Sequence, residues 1–137
     1  MTSMNNIPTK GQLERRLSQT MLSLYRDRFG QLPSKVSCQI FDNKVAIVAE
    51  SVVTSTEKLL IDHSRCDLVK DVRSIVNSVF IPVVKEQIDQ ILQQKVVSIM
   101  SDYCLEYDYA GIIAILESPP QVRSSRKQRQ AGLATHN

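Results

Sequence analysis

The amino-acid sequence predicts an α+β domain with one antiparallel or mixed sheet and helices packed on one of its faces. Three observations lead there. Residues 10–29 and 67–93 carry apolar side chains at helical spacing, each of these stretches is followed by two segments of period two, and a short capped helix lies before the second. The element order is then α-ββ-αα-ββ.

Thr9 and Gln12 have the spacing of a capping box, and Leu13, Leu17, Met21, Leu24, Tyr25 and Phe29 recur on one face after them. The first helix therefore runs from about Lys10 to Phe29. Gly30 suits a left-handed closing residue and Pro33 stops the helix restarting, while Arg15, Arg16, Arg26 and Arg28 face solvent. In the next stretch Val36, Cys38 and Ile40 alternate with Ser37, Gln39 and Phe41. Asp42-Asn43 supplies a turn, and residues 45–53 return as a β-branched strand.

Thr54, Ser55 and Glu57 set up an N-cap with an acid in the first turn, so Ser55 to Asp62 reads as a short helix ended by His63-Ser64. From Asp67 an apolar stripe persists to about Gln93, enough for a helix of about 40 Å. Pro82 lies inside it and removes a backbone donor, so a bend in this second main helix is expected, or a division into two. Beyond Lys95 the period becomes two, with Val96, Ser98 and Met100 set opposite Val97, Ile99 and Ser101. An irregular connection over 102–109 then leads to a last strand over 110–117.

A chain of 137 residues, 42% apolar and 23% charged, fits one domain with its own core. Residues 10–118 are assigned to it, 1–9 to a flexible N-terminus and 119–137 to a disordered basic tail. The net charge of +3 resides in that tail: Arg123, Arg126, Lys127 and Arg129 stand there without an acid, against 13 bases and 14 acids elsewhere. No apolar run approaches a bilayer span, and the N-terminus has neither the basic nor the apolar region of a secretory signal. A cytoplasmic location is the expectation. Cys38, Cys66 and Cys104 are too few and too scattered for a disulfide framework or a CxxC site.

Four stretches carry a family resemblance: helix one, FDNKVAIVAESVVTSTEKLL, DLVKDVRSIVNSVFIPVVKEQI and KVVSIMSDYCLEYDYAGIIAIL. Together they resemble the MpsC-like family, formerly a domain of unknown function, named for a sodium-translocating membrane-potential-generating system. The likeness covers residues 10 to 118 and includes Pro82 in the long helix and the Ser101-Asp102 pair. Three departures stand out. Ser55 replaces a usual proline, Met100 stands where a histidine is often seen, and Tyr103, Tyr107 and Tyr109 replace a short polar loop. The resemblance implies a small soluble bacterial protein tied to membrane energetics through its partners, with the missing histidine weighing against an inherited metal or proton-relay role.

Motifs for chemistry are scarce. The two histidines cannot form HExxH, neither GxSxG nor GxxxxGK[ST] occurs, and the four glycines are never clustered. The sequence therefore assigns no catalytic residue, no cofactor and no metal ligand. His63 beside Asp62 and Cys66 reads as a surface turn, and Glu57, Lys58, Lys70, Asp71 and Arg73 as ordinary helix charges. The long helix is different, because its stripe is wider than one small sheet can cover. Val72, Ile75, Val76, Val79 and Val83 are the candidate interface, joined by Tyr103, Tyr107 and Tyr109 on the last hairpin. The expected function is that of a noncatalytic, homodimeric adaptor or regulator with a protein partner. A nucleic-acid-binding regulator using Arg123, Arg126, Lys127 and Arg129 is the alternative, although GxxG is absent, and a small-ligand sensor is a third.

Overall fold

In a computed structural model that describes residues 6–124, the first cap forms as the Thr9/Gln12 spacing implies. The Thr9 hydroxyl accepts from the Gln12 amide at 3.1 Å and the Gln12 side chain accepts from the Thr9 amide at 2.9 Å, starting helix α1 (Lys10–Phe29). Gly30 ends it at φ 66°, a conformation that glycine adopts without strain, and donates to the Arg26 carbonyl. Strands β1 (Lys35–Phe41) and β2 (Lys44–Glu50) form the first hairpin. Helices α2 (Ser55–Asp62) and α3 (Cys66–Leu92) and strands β3 (Val96–Cys104) and β4 (Tyr109–Leu116) follow.

All neighbours in the sheet are antiparallel and the spatial order is β1-β2-β4-β3. The α+β architecture expected from the sequence is the one observed, with helices on one face. Leu13, Leu17, Met21 and Tyr25 of α1 and Phe80, Val84, Ile88 and Leu92 of α3 are buried against that face. It meets them with Ile40, Val45, Ile47, Ile112, Ala114 and Leu116. Period two on the strands and the helical stripe on α1 are thus both explained by one core.

Three details differ from expectation, each for a physical reason. Strand β2 stops at Glu50, not Val53, because Ser51 turns to φ 63° and the Asp108 carboxylate captures the next two amides. Val52 and Val53 are buried all the same. Residues 102–104, expected to be irregular, extend β3, since β4 offers pairing partners as far as Tyr109. The expected facing of β3 also fails at its start: a bulge between Val96 and Ser98 puts Val96 on the same side as Ile99, Ser101 and Tyr103. Of the two outcomes expected at Pro82, division does not occur: α3 is one continuous helix through it. In the segments assigned to the two termini, Pro120 is buried and the Arg123 amide donates to the Pro8 carbonyl at 2.9 Å.

Candidate functional site

Helix α3 has more apolar positions than the core uses. Phe80, Val84, Ile88 and Leu92 are buried in the core with the sheet and α1, and Val69 is buried nearer α2. On the opposite side Leu68, Val72, Ile75 and Val79 stand in solvent, with Ile75 and Val79 68% and 67% exposed. Val76 and Val83 flank this ridge and are half-buried. They border a groove of about 250 Å³ between α3 and the end of α1, floored by Phe29 and Phe80 and edged by Arg28. The floor is a packed aromatic trio: the rings of Tyr25, Phe29 and Phe80 lie 4.9–5.5 Å apart, centroid to centroid, with Phe29 edge-on to Phe80. Burial pushes the Tyr25 phenol up to about 12, against the opposing influence of the Arg73 charge. It stays neutral at physiological pH.

Beside the ridge a polar clamp fixes α2 and α3 to the sheet. Arg73 pairs with Glu57 through two guanidinium nitrogens, one of them 2.9 Å from Oε1, and donates to the Val52 carbonyl at 2.9 Å. Both side chains are nearly buried, at 12% and 13% exposure. The same guanidinium lies 5.3 Å from the centre of the Tyr103 ring. Burial raises the Glu57 carboxyl, but hydrogen bonds from Arg73 and Thr54 outweigh it and hold the group below its usual range. Asn77 adds a bond to the Ser101 hydroxyl at 2.6 Å.

The sequence-derived interface residues are therefore not all in one place. Val72, Ile75, Val76, Val79 and Val83 share the outer side of α3. Tyr103 faces the helices through Arg73, whereas Tyr109 lies on the sheet face left uncovered by the described residues and Tyr107 stands exposed in the turn. That uncovered face also presents Phe41, Val48, Met100 and Ile113, all at least one-third exposed. It was missed in the sequence, where a Val or Ile on either side of a strand reads alike. Glu57 and Arg73, read as solvated charges, are instead an enclosed pair. His63 caps α2 with its ring nitrogen 2.8 Å from the Leu59 carbonyl, exposed as are Asp62 and Cys66. Of the basic candidates, Arg123 is half-buried at the start of α1, while Arg126, Lys127 and Arg129 lie outside the described residues.

A protein-family model described as "Na+-translocating membrane potential-generating system (MpsC)" matches residues 9–118, the whole span from the Thr9 cap to the end of the last strand. The chain belongs to the MpsC family. No curated protein and no solved structure gives a significant match. This MpsC chain has no helix, among the described residues, long and apolar enough to cross a membrane.

Proposed function

We propose that this MpsC-family chain is a noncatalytic adaptor that acts by protein association, working as a homodimer joined along α3. One observation carries the reading: the aligned exposure of Val72, Ile75 and Val79 on a helix whose opposite side is already filled. Full burial of one such side chain is worth about 1.5–3 kcal/mol, so a matching surface gains several times that before association costs. The clamp of Arg73 on Glu57 and Val52 supports it, because it holds the ridge in place before any partner arrives. The family description suggests a sodium-translocating, potential-generating membrane assembly as the setting, reached by docking.

Sedimentation equilibrium at micromolar concentration tests this. The expected mass is that of two chains, falling to one chain in Val79→Asp while its far-UV circular dichroism stays unchanged. A single-chain mass for the unaltered protein overturns the proposal.

A further inference from the structure

Leu68, Val72, Ile75 and Val79 follow one another in steps of four, three and four, the seam spacing of paired helices, and Pro82 and Glu86 occupy the next two seam positions. The two flanks of this seam differ. On one side lie Val76 and Val83, against the groove; on the other, at intervals of seven, lie Asp71, Ser78 and Lys85. Among the described residues neither Asp71 nor Lys85 belongs to an ion pair.

From this asymmetry we infer that the occupant of the ridge is a second copy of the chain, lying antiparallel about a dyad that passes between Val76 on one flank and Ser78 on the other, with Asp71 of each copy facing the partner's Lys85. This rests on the reading of α3 as a dimer interface. In an antiparallel helix pair each flank meets its own kind running in reverse. The polar flank then brings Ser78 against Ser78 and sets an acid opposite a base twice, and the apolar flank brings Val76 against Val76 over the groove. Along the seam Ile75 packs on Val79, and Val72 on Pro82. A parallel, in-register pair would instead set each polar flank against the other copy's apolar one. Asp71 would then face Val76, and Ser78 would face Val83, so charges would border valines without compensation. On the two flanks, charge complementarity and apolar matching therefore select the same orientation, while the outermost seam layer sets Leu68 beside the partner's Glu86. The small Ser78 side chain also allows close approach at the dyad.

The test uses the full chain with Cys66→Ser and Cys104→Ser, so that neither exposed cysteine interferes. One batch carries Asp71→Cys and another, distinguished by a mass tag, carries Lys85→Cys. Mixed and oxidised by air with copper phenanthroline, they are expected to yield a disulfide-linked mixed dimer, whereas neither batch alone cross-links. Independently, Asp71→Lys and Lys85→Asp should each weaken dimerisation by roughly tenfold at low salt, and the double variant should restore it. If the protein remains dimeric but no mixed cross-link forms and the reversals have no effect, the antiparallel arrangement is wrong and the dimer stands. A single-chain mass for the unaltered protein removes both.

Discussion

A single carboxylate organises the junction between the two hairpins. Asp108, at φ 60°, accepts from the amides of Val52 and Val53 at 2.7 Å, while its own carbonyl accepts from Ser51 at 3.0 Å. Without that side chain two buried residues lose their backbone partners and the left-handed turn loses the residue type that tolerates it. Asp108→Ala should cost about 2–3 kcal/mol, read as a lower urea midpoint with an unchanged slope. Glu57 gives a second residue-scale expectation. Its folded carboxyl is held below the unfolded value, so its contribution is complete above about pH 4.5 and is lost as pH falls through the folded value. Glu57→Gln should flatten that part of the acid-stability profile measured by urea unfolding, while lowering stability at neutral pH. Neither role was legible in the sequence. Glu57 and Arg73 are sixteen positions apart and meet only because the turn after α2 folds α3 back beside it, and Asp108 reaches Val52 across more than fifty residues.

At the scale of elements, the local signals were sufficient wherever chemistry is local. Thr9 and Thr54 cap their helices through residues three positions on, and Gly30 closes α1 as its position implies. Strand ends and the β3 bulge were not legible, because pairing with β4 sets them and β4 is distant in sequence from part of what it orders. Helix α3 ends on Gln93 at φ 53°, a left-handed residue with a side chain that gains only a bond to the Gln90 carbonyl. Gln93→Gly should relieve that backbone cost and raise stability by about 0.5–1 kcal/mol, seen as a higher thermal midpoint.

For the whole molecule, the sequence revealed the α3 ridge because its apolar positions outnumber those one core can take. It did not reveal the uncovered sheet face, since the residues that compose it come from four strands. A dimer joined along α3 has a thermal midpoint that rises with protein concentration, and the same scan on Val79→Asp should be independent of concentration.

The rims of the sheet have a consequence of their own. On β1 the Ile40 amide is taken by Glu14 of α1, and on β3 the amides of Val96 and Tyr103 are taken by Asp89 and Asp102. These three donors, which another chain's strand could otherwise use, are occupied by carboxylates from within. Lateral pairing with another strand is hindered at these positions, a constraint in keeping with the closed pair proposed along α3.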